Sequence, residues 1–259
     1  MQHCRVHLIL IVVLAFLCGC APAMRNTVTQ VSTIDALLAG AYDGCLTLDA
    51  LQDSGNFGIG TFDRLEGEMI VFDGRIYQAR VDGTLATPPP SMTTPFAVVV
   101  SFEKDLSIAL PRNCDYTAFK ALLNRRIPNK NIFWAVKAHG CFAHMKVRSV
   151  PAQKKPYLPL ADVVKDQAVF HIDNVSGTLI GFYSPAYVKG INVPGYHVHF
   201  ISDSRKVGGH VLDFVCTEGS VDIDMCHRFL MLLPEGMHEF GTLDFGIDRS
   251  ADLTTVERQ

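Results

Sequence analysis

Short apolar runs broken by glycine, not a helical repeat, set the pattern of this chain from Gly58 to Val81. Such runs read as strands joined by tight turns. Asp73-Gly74 is a two-residue hairpin signal, because both residues tolerate the positive φ that such a turn demands. It predicts that 68–72 pairs with 75–79. Pro88-Pro89-Pro90 marks a loop, and Phe96 to Phe102 is apolar enough to lie in the middle of a sheet. Helical stretches are few. Thr47 to Leu51 reads as a short helix capped by Thr47 and stopped near Gly55, and Asp115 to Asn124 suits a second one. Leu37, Leu38 and Tyr42 belong to a first strand or helix.

The second half has its own strands: Phe133 to His139, Cys141 to Val150, Gly177 to Tyr183, Tyr196 to Ile201 and, after Gly208-Gly209, His210 to Phe214. Strands dominate, and helices do not alternate regularly with them. The expected class is therefore α+β, with mixed and antiparallel β-sheets in two closely packed halves, few helices and a division near residues 125–132. No internal repeat or low-complexity tract is present.

The first twenty residues follow another pattern. Arg5 precedes the apolar run from Leu8 to Leu17, which is too short to span a bilayer comfortably and reads as an export signal. Leu17-Cys18-Gly19-Cys20 resembles a bacterial lipoprotein cleavage box, which would make Cys20 the lipidated head of the mature chain. An ordinary signal cut after Ala21 or Ala23 is the alternative. The expected organisation is a signal peptide over 1–20, a polar linker over 21–32 and one domain over 33–259. Localisation would be periplasmic or on the cell envelope as a lipoprotein, and otherwise secreted. With 48% hydrophobic residues among 259 the chain can bury a large core. A formal charge of -3 argues against nucleic acid, since phosphate contacts need clustered basic side chains, and favours a small-molecule partner. Beyond Cys20 stand Cys45, Cys114, Cys141, Cys216 and Cys226, with no Cys-x-x-Cys pair. Cys216 and Cys226 could bridge a loop, or all could remain buried thiols.

Candidate chemistry concentrates in Pro194 to His210. Side chains two apart on a strand face the same way, so His197 and His199 present two imidazoles on one face. Alone, His-x-His is weak evidence of anything. His210, eleven residues past His199 and beyond Gly208-Gly209, sits where a returning hairpin strand would add a third imidazole. Three neutral imidazoles leave a cation open positions for water and substrate, and they accept cobalt, nickel, copper or iron as well as zinc. His139, His144, His227 and His238 lack partners at ligand spacing.

The run Gly195 to Ile201 with Gly208-Gly209-His210 resembles the metal-binding segment of α-acetolactate decarboxylases. So do Gly58 to Phe62 with Leu65 to Glu68, Tyr77-Gln78, Thr94 to Ala97, Phe133 to Lys137, Val147 to Val150, Lys155 to Tyr157 and Gly177 to Phe182. The resemblance runs in the family's order from about residue 33 onward. It implies a carboxy-lyase that turns 2-acetolactate into acetoin and CO2, with Zn2+ on His197, His199 and His210, which the N-terminal signal would make an exported one. It further implies catalytic roles for Glu68, Arg148 and Glu257, a supporting hydroxyl from Thr61, and a homodimer.

The chemistry has its own requirement: losing the carboxylate of a β-keto acid leaves an electron pair that needs an electrophile at the ketone oxygen and a proton donor nearby. Taken alone, Glu68 is as well read as a solvated strand-end glutamate, and Arg148 as a surface residue. Glu257 stands so near the end of the sequence that a frayed tail would remove it. His139 and Cys141 depart from the family's pattern. A zinc-dependent hydrolase and a non-catalytic metal- or solute-binding envelope lipoprotein are the competing readings. The first lacks both a His-Glu-x-x-His helix and a Gly-x-Ser-x-Gly elbow.

Overall fold

The computed structural model describes residues 25–258, so the expected signal peptide and Cys20 lie outside the described residues. The strands in chain order begin with β1 (Thr27–Val31), β2 (Leu46–Thr47), β3 (Phe57–Thr61), β4 (Glu68–Phe72) and β5 (Arg75–Ala79). Next come β6 (Leu85–Ala86), β7 (Thr93–Thr94), β8 (Ala97–Val100), β9 (Leu106–Ala109) and β10 (Cys114–Asp115). Three long strands, β11 (Phe133–Ser149), β12 (Ala168–Ser184) and β14 (Gly208–Cys226), surround β13 (Gly195–Ser202), and β15 (Arg228–Leu232) closes the series. The α-helices are α1 (Ile34–Leu38), α2 (Leu48–Gln52), α3 (Tyr116–Arg126), α4 (Leu160–Val163), α5 (His238–Thr242) and α6 (Ser250–Arg258).

Two sheets carry the fold, as the α+β expectation with mixed and antiparallel sheets requires. The first runs β15-β1-β8-β3-β4-β5-β6 and is antiparallel except where β1 and β15 pair in parallel. Because β15 comes from the far end of the chain, the two halves interlock. The second sheet runs β10-β14-β11-β12-β13, with β9 also on β14. Since β13 pairs with β12 on one side and with the start of β14 on the other, β11, β12, β13 and β14 close into a ring. Shifts of register at Cys141/Phe142, Phe142/His144 and Lys146/Val147 bend β11 enough for that closure.

Alternation along the strands explains the layers. On β8, Val98 and Val100 enter the core between the sheets while Ala97 and Val99 turn to the outer face, where Leu48 and Leu51 of α2 cover them. The inter-sheet core receives Ile59 and Ile70 from one side and Phe133, Ile180, Phe182 and Ile201 from the other. A further core forms where Phe119 and Leu123 of α3 meet Trp134, Phe142, Phe200 and Phe214.

Several local expectations match. Asp73 and Gly74 take φ of 50° and 75°, and β4 and β5 pair from Glu68↔Ala79 to Phe72↔Arg75. Thr47 accepts the Ala50 N–H at 3.3 Å, and Asp115 accepts that of Ala118 at 2.7 Å, so both helices are capped as their sequences direct. The segment near Leu37 is helical.

Others need correction. The linker expected over 21–32 is already strand from Thr27, and β1 is buried along its whole length. Gln30 finds partners instead of water, donating to the carbonyls of Ser32 and Ile191 and accepting from Asn192. The two strands expected between 133 and 150 are one, and β12 begins nine residues before the expected Gly177. Cys216 and Cys226 lie on one continuous strand, which puts them on the order of 30 Å apart and excludes a bridge between them.

Candidate metal centre

Register brings the histidines together. Strand β13 carries His197 and His199 on one face, and His199 stands directly opposite His210 of β14. On its other side His210 stands opposite Arg148 of β11. Two glycines make this approach possible: a Cβ on Gly208 would sit 2.6 Å from the Phe200 carbonyl oxygen, and one on Gly209 would sit 2.5 Å from that of Arg148. The intervening turn is held by the Ser202 N–H on the Val207 carbonyl, at 3.0 Å.

The three ring centroids lie 4.9 to 5.4 Å apart, and one nitrogen from each ring falls within 4.8 Å of the others. His199 is 1% exposed and His210 3%. His199 Nδ1 lies 2.8 Å from the Met69 carbonyl oxygen, which can only accept. That bond fixes the tautomer, leaving the lone pair on Nε2. Nε2 of His199 is buried with no hydrogen-bond partner, and so is Nδ1 of His197. Burial holds His197 down at about 3, with the Arg148 charge adding to it. Burial likewise holds His199 and His210 well below the usual imidazole range, so all three rings are neutral. Converging neutral imidazoles with orphaned buried nitrogens fit a divalent cation.

Two carboxyls flank this point. Glu68, first residue of β4, places Oε2 3.7 Å from His199 Nε2, and Glu257 of α6 places Oε2 3.9 Å from His210 Nε2. Burial pushes Glu68 up to about 7, the Arg148 charge pulls it back and Glu257 adds to the rise. Glu257 also stands at about 7, raised by burial against the pull of Arg148. Arg148 is 3% exposed and held through Nη1, which donates to Gln167 Oε1 at 3.1 Å and to the Val256 carbonyl, while its Nε has no partner. Thr61 stands opposite Glu68 across β3 and β4, and its hydroxyl donates to the Gly67 carbonyl at 2.8 Å. It fixes the turn that presents Glu68.

These groups line a chamber of about 50 Å³ whose other walls are apolar, among them Ile34, Leu37, Leu65, Phe96, Leu160 and Val164. His197, His210 and Glu257 are shared with an open cleft of about 860 Å³, edged by Tyr116, Tyr183, Tyr196 and three lysines. The cleft gives the chamber its way in.

The structure thus brings His197, His199, His210, Glu68, Arg148, Glu257 and Thr61 to one place. Helix α6 is packed against α4 through buried Val256, so the tail that carries Glu257 is docked. Sequence reasoning missed Gln167 and the carbonyls of Met69 and Val256, for which the chain offers no local signal. His139 and His144 lie outside the site, against Asp203 and Asp173 at 3.2 and 2.9 Å.

Comparison with known proteins agrees with this geometry. The family model for alpha-acetolactate decarboxylase matches residues 28–246. An alpha-acetolactate decarboxylase of Methanosarcina mazei is 49% identical over 229 residues, covering 88% of this chain and 79% of its own. One of Bacillus subtilis is 38% identical over 232 residues, covering 90% and 91%. A crystal structure of alpha-acetolactate decarboxylase from Bacillus subtilis superimposes with a TM-score of 0.88 at 37% identity, covering 90% of this chain and all of that one. The extent of these matches, along the whole of both sheets, shows that the chain belongs to the α-acetolactate decarboxylase family of carboxy-lyases.

Proposed function

We propose that this protein converts 2-acetolactate to acetoin and CO2 with a divalent cation, zinc in the first instance, held by His197, His199 and His210. The observation that carries the reading is the convergence of three neutral, partly unpartnered imidazoles between two buried carboxyls. Family membership sets aside the hydrolase and the non-catalytic readings. A cation there would supply Lewis acidity toward the ketone and hydroxyl oxygens of the substrate.

The chain's own residues account for the other steps. Arg148, its Nη1 anchored and its Nε free, offers a fixed positive charge and a donor for the substrate carboxylate. The C–C bond to that carboxylate breaks, CO2 departs, and the electron pair remains on the carbon as an enediolate. Glu68, which keeps its proton near neutral pH because it is buried, transfers it to that carbon and is left as a carboxylate. Glu257, beside His210, exchanges a proton with the substrate's hydroxyl. Apolar walls keep bulk water from competing as a proton source, so protonation occurs from one face and a single acetoin enantiomer results.

Export and lipidation at Cys20 belong to the same proposal, as does a homodimer. A Cys20→Ala protein that stays in the membrane fraction would remove the anchor from it, and light scattering of the purified chain tests the dimer. For the activity, acetoin release from racemic acetolactate should vanish with a chelator and return with zinc. Metal-replete protein that leaves acetolactate untouched would overturn the reading.

A further inference from the structure

We infer that Cys114 and Cys216 form a disulfide when the protein is exposed to an oxidant. The two face each other as direct Cα partners in the antiparallel pairing of β10 with β14. Directly opposed residues in such a pair have Cα atoms roughly 4.5 to 5.5 Å apart and side chains on the same face, inside the window that a disulfide accepts. Both are buried free thiols in one core cluster. The Cys114 thiol is among the groups that raise the Cys216 thiol to about 11, behind burial, which also shows the two to be neighbours.

Local structure allows the small movement that bonding needs. Strand β10 has only two residues and lies at the edge of its sheet, so it can close on β14 without disturbing a ladder on its other side. The Cys216 sulfur rests against Gly140 and Gly219, where added Cβ atoms would come within 3.1 and 3.3 Å of it. Their missing side chains leave it room to turn from its contact with the Glu218 carbonyl toward Cys114. Among the described residues the other cysteine that adds to the rise of the Cys216 thiol is Cys141, whose contribution is smaller than that of Cys114. Cys141 stands opposite Glu218, not Cys216, and its sulfur meets the Ser176 hydroxyl at 3.4 Å, while Cys226 is ten residues along the same strand.

With glutathione disulfide as oxidant, one thiolate displaces a glutathione and forms a mixed disulfide, and the second thiol then displaces the other glutathione. Two protons and two electrons leave the protein, and one glutathione disulfide becomes two glutathiones. The bond would close a loop of about a hundred residues. It would also tie the start of α3, whose Tyr116, Lys120 and Asn124 edge the cleft, to the strand that carries His210.

The test is to refold the full chain in a glutathione redox buffer, alkylate it in denaturant without reduction, and digest it with trypsin and a glutamate-specific protease. Cleavage after Glu218 separates Cys216 from Cys226. The expected result is a loss of 2 Da and a linked pair of peptides, 113–120 with 207–218, with Cys45, Cys141 and Cys226 alkylated. Oxidation should raise Tm by about 5 to 10 °C in the wild type and leave it unmoved in Cys114→Ser. Should refolding yield be poor, diamide treatment of the native protein gives the same readout. Alkyl groups on both Cys114 and Cys216 after oxidation, or a link to any other cysteine, would overturn the inference.

Discussion

Replacing His199 by alanine separates a metal ligand from a merely buried ring, because only loss of a ligand reduces the stability gained from the cation. The centroids of the other two rings lie 5.3 and 5.4 Å from that of His199, and its Nδ1–H satisfies the Met69 carbonyl at 2.8 Å. Without a cation, His199→Ala leaves that carbonyl unpaired and opens a cavity, but it also removes a buried Nε2 that has no partner. Each unsatisfied buried group costs about 1 to 3 kcal/mol, so the changes offset and the net is within about 1 to 2 kcal/mol. With a cation the balance shifts. Four-ligand zinc sites are worth about 10 to 16 kcal/mol, which makes one ligand worth about 3 to 4 kcal/mol and weakens Kd about 10²- to 10³-fold.

At free zinc about 1,000 times the wild-type Kd, linkage stabilises the wild type by about 4 kcal/mol and the variant by less than about 1.5 kcal/mol. At roughly 2 to 4 °C per kcal/mol, zinc should raise Tm by about 8 to 16 °C in the wild type and by less than about 6 °C in the variant. Scanning calorimetry with chelator and with zinc reads this directly, and an acetoin assay on the same samples should show loss of activity. If the variant gains as much Tm from zinc as the wild type, or keeps a tenth of its activity, His199 is not a ligand and the His3 reading fails.

Three further outcomes are expected. Glu68→Gln should lower kcat by about 10² to 10⁴ while zinc content stays at one per chain, since only the proton donor is lost; equal kcat in an acetoin assay would remove Glu68 from the chemistry. Gln167→Leu removes one of two partners of Arg148 Nη1 and should raise KM several-fold, by about 1 kcal/mol of lost positioning, without changing zinc content; unchanged steady-state kinetics would show that the Val256 carbonyl alone holds the arginine. Asp224 is buried with Oδ1 unpartnered, and burial pushes its carboxyl up to about 6 from an ordinary 3.8. A carboxyl raised in the folded state adds stability that is present below about pH 3.8 and lost as pH rises through about 6. Asp224→Asn should therefore gain about 1 to 3 kcal/mol relative to wild type between pH 4 and pH 7 in denaturant unfolding, and a constant difference across that range would contradict the reasoning.

Local rules gave away the elements and the ligand-bearing strand. The Asp73-Gly74 turn, the caps at Thr47 and Asp115, and the placing of His197 and His199 on one face all follow from φ preferences, orphan N–H groups and the period of a strand, which act over a few residues. The glycines before His210 marked a turn whose returning strand would bring a third imidazole. By contrast β1 was hidden, because Thr27, Thr29 and Gln30 look solvated until their partners 160 and more residues away are known. The first half of β12 was missed too, although Phe170-His171-Ile172-Asp173 alternates as a strand does, because that stretch is short and only half-buried.

What the sequence determined by itself is therefore which residue types stand at which phase of each strand, including the three histidines and Glu68. Only the tertiary structure decided that β13 and β14 close the ring so that His199, His210 and Arg148 meet, that α6 docks Glu257 beside them, and that Cys216 faces Cys114 rather than Cys226. The physical reason is range. A strand's phase comes from its own backbone geometry, whereas its register against a strand a hundred residues away is chosen by which pairing buries the most apolar surface over the whole chain.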